Sequence, residues 1–243
     1  MSGVFYQVST LNALMLGNFD GVVSVDELLR HGSWGIGTYE GLDGEAVICD
    51  GVAYDARATG EAAAMPASAL VAFSTVADFS DHAAPFELDG VEGCDAMDAV
   101  LDRLETVRRA CDDNENAWFL AAMRGTFPFV HVRSCFKVED KPYPTLPEVA
   151  SCQREFRYAD ERGWVVGVWV PAYLDGINLP GWHLHYLSDD RARGGHLLGL
   201  SIGRAEGRIE SFSRYEMVMP GNAEFKKLDL TSDLSAATAS VEG

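Results

Sequence analysis

Gly181-Trp182-His183-Leu184-His185-Tyr186-Leu187-Ser188-Asp189-Asp190-Arg191-Ala192-Arg193-Gly194-Gly195-His196 holds three of the six histidines in the chain. His183 and His185 stand two apart. In a β-strand, positions i and i+2 point to one face, about 6.6 Å apart. Ser188 to Gly195 is polar and rich in turn residues. His196 then opens the apolar run Leu197-Leu198-Gly199-Leu200-Ser201-Ile202, which reads as the returning strand of a hairpin. If His196 pairs opposite His185, their Cβ atoms lie roughly 5 Å apart on the same face. Three imidazoles then converge. Zinc takes histidine nitrogens at about 2.0–2.1 Å, and three protein ligands with an open fourth position is the catalytic arrangement. Structural zinc sites are usually closed by four ligands and rich in cysteine, and no cysteine lies near this stretch.

The rest of the chain supplies strands of the same kind. Gly35–Glu40, Ala46–Cys49 and Val52–Asp55, separated by Gly-Leu-Asp-Gly-Glu and Asp-Gly turns, read as a meander. Ala69–Val76, Trp118–Arg124, Phe127–Arg133, Gly163–Val170 and Gly207–Met219 read as further strands. Helices are few. Ser9 or Thr10 can cap a short one over Leu11–Leu16, and Ser24 with Glu27 makes a capping pair for another that stops at Gly32. Met97, Val100, Leu101, Leu104 and Val107 form one apolar stripe inside Cys94–Cys111. Phe79–Gly93 reads as an acidic loop, Ala223–Asp229 as a short helical piece and Ser232–Gly243 as a free tail. The expected class is α+β, β-dominated, with two sheet-based halves and short helices. The metal site lies on the second-half sheet and faces the interface between the halves. The chain reads as a single catalytic unit over residues 1–243. The Pro-rich connector Lys141–Pro147 separates an N-terminal half, 1–140, from a metal-binding half, 141–243.

Composition narrows the function. The net charge of −18 argues against binding a nucleic-acid backbone. No apolar run approaches the ~20 residues of a membrane helix. Met1–Gln7 lacks the basic and apolar regions of a signal peptide. The five cysteines are odd in number and form no C-x-x-C, which fits reduced thiols and a cytoplasmic location. Each of them reads as a buried or incidental thiol. By spacing alone, Glu45 is an exposed turn carboxylate, Arg133 is either a site residue or a surface charge, and His31 caps or pairs with a helix end.

Taken together, these motifs resemble the alpha-acetolactate decarboxylase family from about Phe5 to Asp229. The resemblance is carried by Phe5–Thr10, Phe19-Asp20-Gly21, Glu27–Gly32, Gly35–Thr38 with Leu42–Glu45, Lys141-Pro142-Tyr143, Pro180–Asp190 and Gly194-Gly195-His196. It implies a zinc-dependent lyase, with one Zn2+ per chain, that converts (S)-2-acetolactate to (R)-acetoin and carbon dioxide. His183, His185 and His196 match the family's metal ligands. Glu45 matches its site glutamate, Thr38 its substrate-facing threonine and Arg133 its site arginine. A glutamate of the C-terminal tail also reaches the site in the family, and Glu242 is the residue here that answers to it. The implied partner is a small 2-hydroxy-3-keto acid, with no nucleic acid and no membrane, and a homodimer is the oligomer entertained. Two other readings of the histidines stay open: a cupin-like metal oxygenase with Asp189 or Asp190 as an added ligand, and a non-catalytic ligand-binding module with a structural metal.

Overall fold

The computed structural model describes residues 3–93 and 96–242, the side chain of the last excepted. Its strands are β1 (Phe5–Val8), β2 (Val23–Ser24), β3 (Trp34–Tyr39), β4 (Glu45–Cys49), β5 (Val52–Ala56), β6 (Ala62–Ala64), β7 (Leu70–Ala77), β8 (Ala84–Val91), β9 (Trp118–Ser134), β10 (Arg154–Val170), β11 (Gly181–Ser188), β12 (Gly194–Phe212) and β13 (Tyr215–Val218). The helices are α1 (Leu11–Met15), α2 (Val25–Leu28), α3 (Met97–Cys111), α4 (Leu146–Ala150) and α5 (Ser235–Glu242). The first sheet runs β13-β1-β7-β3-β4-β5-β6, with β2 on β7, and the second runs β11-β10-β9-β12-β8. A further pairing of β11 with β12 joins the two ends of the run β11-β10-β9-β12. This is the expected β-dominated α+β architecture. Sheet membership does not change at residue 140, however: β8 and β9 precede it and lie in the second sheet, whereas β13 follows it and lies in the first.

Period-two alternation stacks the layers. In β4, Val47 and Cys49 pack with Leu120, Val166, Val168 and Leu187 of the second sheet. Ala46 and Ile48 turn the other way, toward Val25 and Leu28. In β11, Leu187 joins the layer between the sheets, while Leu184 and Tyr186 pack on the side of Val100 and Leu104 from α3. Burying a side chain of this size contributes about 1.5–3 kcal/mol. A one-residue slip would turn each strand inside out, so the pattern also fixes register. Glu45 shares its strand face with Val47, and His183 and His185 share theirs with Leu187. The same apolar alternation therefore aims all three polar side chains into the space between the sheets.

Trp118–Arg124 and Phe127–Arg133 form one continuous strand, β9, and other elements also differ from the sequence reading. Phe79–Gly93 contains the strand β8, an edge strand whose Leu88 and Val91 are buried while Glu87 and Asp89 face out. The acidic outer face hid the alternation. The helix after Ser24 is one turn, with Ser24 Oγ accepting from the Glu27 amide at 3.2 Å. His31, beyond it, stacks on the Tyr6 ring at 3.7 Å. The tail is not free: α5 buries Thr238 and Val241, and Leu234, Ala237 and Val241 pack on the cluster that holds Leu146 and Val149. Those three residues make a narrow stripe among small side chains, too weak to show as an amphipathic helix in the sequence.

Candidate active site

The turn between β11 and β12 is closed by its own polar residues. Ser188 accepts from the Arg193 amide at 2.9 Å through Oγ and donates to Asp190 at 2.6 Å. The Ser188 amide donates to the Arg193 carbonyl at 2.9 Å. The resulting register sets His185 opposite His196, and His196 opposite Arg133 of β9. His183 Nε2 lies 2.9 Å from His196 Nδ1 and 3.2 Å from His185 Nε2. One ligand nitrogen from each of the three lies within 4.8 Å of the others. The convergence expected from the spacing is present.

His185 Nδ1 stands 2.9 Å from the carbonyl oxygen of Ala46 in β4. A carbonyl only accepts, so the proton sits on Nδ1 and the Nε2 lone pair turns to the other imidazoles. Zinc–nitrogen bonds of about 2.0–2.1 Å in a tetrahedron place ligand nitrogens about 3.3 Å apart. The observed 2.9 and 3.2 Å are close to that value. The three side chains therefore fit a single metal ion.

Burial, and next the charge of Arg133, push the His183 imidazole down to about 3 and the His196 imidazole well below the ordinary histidine range. Neutral imidazoles are the form that binds metal. An unfolded chain takes up protons at these positions below about pH 6.5, whereas the folded one resists until far lower pH. Their neutrality therefore contributes stability that is present above about pH 6.5 and lost as pH falls toward about 3. Metal-free protein is expected to show a Tm that falls between about pH 7 and pH 4, with a smaller fall in His196→Gln. An identical slope in the variant would contradict the assignment.

Glu45 opens β4 and sits with Oε2 3.6 Å from His185 Nε2, its side chain only 14% exposed. It is not the exposed turn carboxylate that its spacing suggests, because the turn folds back between the sheets. Arg133 is 3% exposed and donates from Nη1 to Gln153 Oε1 at 3.0 Å, which decides against a surface charge. Thr38 is buried and donates through Oγ1 to the Gly44 carbonyl at 2.8 Å. Glu242 ends α5, and its side chain lies outside the described residues. Asp189, a ligand in the oxygenase reading, makes a bidentate pair with Arg124 at 2.9 Å.

Thr38, Glu45, Arg133 and the three histidines line one cavity of about 40 Å3, closed on its other side by Leu11, Leu14, Leu42, Phe73, Cys135 and Leu146. Larger surface hollows of about 430 and 470 Å3 lie at Asp20–Lys141 and at Arg124–Arg204. The three-histidine group lies in neither. The apolar wall escaped sequence reasoning. Cys135 read as an incidental thiol, although it follows Arg133 by two residues, the spacing that shares a strand face.

A polar pole of three imidazoles, a guanidinium and a carboxyl facing an apolar wall suits a small oxygen-rich anion with short alkyl groups. The sequence model of the family described as Alpha-acetolactate decarboxylase matches residues 5–232. The chain belongs to the alpha-acetolactate decarboxylase family. The alpha-acetolactate decarboxylase of Methanosarcina mazei is 34% identical over 241 residues, covering 99% of this chain and 81% of that protein. That of Brevibacillus brevis is 32% identical over 228 residues, covering 94% and 77%. The crystal structure of alpha-acetolactate decarboxylase from Bacillus subtilis strain 168 superposes with a TM-score of 0.90 at 27% identity, over 99% of this chain and 100% of that one. The reaction of the acetolactate decarboxylase family is conversion of acetolactate to acetoin, and the chain is an enzyme of that class. Membership sets aside the oxygenase and binding-module readings.

Proposed function

We propose that the enzyme converts (S)-2-acetolactate to (R)-acetoin with one Zn2+ held by His183, His185 and His196. The observation that carries this reading is the set of three imidazoles sharing one cavity with Arg133, Glu45 and Thr38. When bound there, zinc supplies a Lewis acid for the negative charge that develops on the substrate oxygens as carbon dioxide leaves. Arg133, always charged and planar, holds the substrate carboxylate. Breaking the bond to the carboxylate carbon leaves an electron pair spread over an enediolate. Glu45 delivers the proton that converts this species to acetoin, on one face only, and Glu242 is its partner. Thr38 donates to Gly44 and keeps its oxygen lone pairs for a substrate hydroxyl. The apolar wall of Leu14, Leu42, Phe73 and Leu146 receives the methyl groups.

No helix among the described residues is long and apolar enough to cross a membrane. The thiols of Cys49, Cys111 and Cys152 are free, which supports the cytoplasmic location proposed here. The test is the stereochemistry of turnover. Racemic acetolactate incubated with the enzyme should yield (R)-acetoin by chiral chromatography while the (S)-substrate disappears first. Racemic acetoin would refute protonation by a fixed carboxyl group. Arg133→Lys is expected to lose about 10–100-fold in kcat/KM, the worth of a charge-assisted hydrogen bond. Steady-state kinetics with unchanged kcat/KM would remove Arg133 from the substrate carboxylate.

A further inference from the structure

Glu45 stands at the end of a turn that is held from several sides. Gly41, Leu42 and Gly44 have φ of +76°, +58° and +67°. The Gly41 amide donates to the Phe19 carbonyl at 2.8 Å, and the Gly41 carbonyl accepts from Val138 at 2.7 Å. Thr38 holds the Gly44 carbonyl from the cavity side. Beneath the turn lies Asp55 of β5, the register partner of Ala46, and it is wholly buried. Its Oδ2 accepts from Arg57 Nε at 2.7 Å. Its Oδ1 has no hydrogen-bond donor among the described residues. A Cβ on Gly44 would fall 1.9 Å from that oxygen. The carboxyl group therefore fills the space under Gly44 where a side chain would go.

A carboxyl group is a costly filler. Burial pushes Asp55 up to about 6, with Arg57 and Lys137 drawing it back and Asp43 adding to the rise. An apolar residue of similar size would be neutral or favourable for stability at such a place. Ala46, the partner of Asp55 across the ladder, carries the carbonyl that orients His185. The stretch Gly44–Ala46 thus places both the Glu45 carboxyl and the His185 ring, and Asp55 is the group on which that stretch rests.

We propose that Asp55, held by Arg57, is a positioning residue for Glu45, setting the height of the Gly41–Gly44 turn above β5 and so the distance of the Glu45 carboxyl from His185. The inference rests on the reading of Glu45 as the proton carrier. A misplacement of about 1 Å at a reacting group can cost on the order of 100-fold in rate.

The test uses the zinc-loaded full chain. Asp55→Ala is expected to lower kcat at least about tenfold, with KM within about twofold and zinc content unchanged. Asp55→Asn, which keeps the shape and the oxygen facing Arg57, should recover most of that loss. In a Glu45→Gln background, Asp55→Ala should have little further effect, since the two act through one group. If Asp55→Ala fails to fold, Arg57→Ala, with a side chain 43% exposed, should lower kcat about threefold with zinc retained, because an ion pair with one exposed partner couples weakly. Wild-type kcat in folded Asp55→Ala or in Arg57→Ala would overturn the inference. So would a loss equal in both backgrounds, or one matched by loss of zinc. If Glu45→Gln itself keeps full turnover, the Glu45 reading falls and this inference with it. If Glu45→Gln loses turnover and Asp55→Ala does not, the positioning inference alone falls.

Discussion

Replacing His183 with Ala is expected to remove bound zinc and acetoin formation together. His183 is the central member of the group: its Nε2 lies within 3.2 Å of a nitrogen on each of the other two rings. Without it two imidazoles remain, one short of the three protein ligands that a catalytic zinc site uses. Activity is expected to fall by more than about 1000-fold, since the Lewis acid that a metal on these histidines would supply goes with the ligand. The fold is expected to survive. His183 lies on the site face of β11, whereas Leu184, Tyr186 and Leu187 on that strand carry the packing. Metal analysis of purified, folded variant checks this. Stoichiometric zinc in His183→Ala would remove it from the ligand set.

Glu45→Gln is expected to lower kcat by about 100- to 10,000-fold, the range of a positioned general acid or base, while leaving zinc content intact. Glutamine keeps the size and the polar contact near His185 but cannot give up a proton. The apparent KM should change little, because the proposed role of Glu45 is proton delivery, and the substrate carboxylate is assigned to Arg133. Full turnover would end the assignment. A loss of zinc in this variant would instead make Glu45 a ligand.

How legible these residues were depended on how local their determinants are. The hairpin from His183 to His196 was readable because a two-residue period and a polar turn fix which side chains share a face. His185 and His196 pair as that reading requires. Glu45 and Arg133 were ambiguous on spacing, and only resemblance to the family singled them out. Their burial is set by how two sheets meet, which no single strand encodes. Leu11, Leu14 and Leu146 come from two short helices far apart in sequence and close the cavity through tertiary packing alone. The same holds for α5, whose small residues carry little helical signal until Leu146 and Val149 offer a surface. Edge strand β8 was lost in its own acidic outer face, as edge strands with charged side chains tend to be.

The most direct measurement is acetoin formation from racemic acetolactate by the purified enzyme before chelation, after chelation and after zinc is restored. Activity should vanish with the metal while the protein stays folded, and return with one zinc per chain. Activity that persists in metal-free, folded protein, or none in zinc-loaded, folded protein, would contradict a catalytic centre built on His183, His185 and His196.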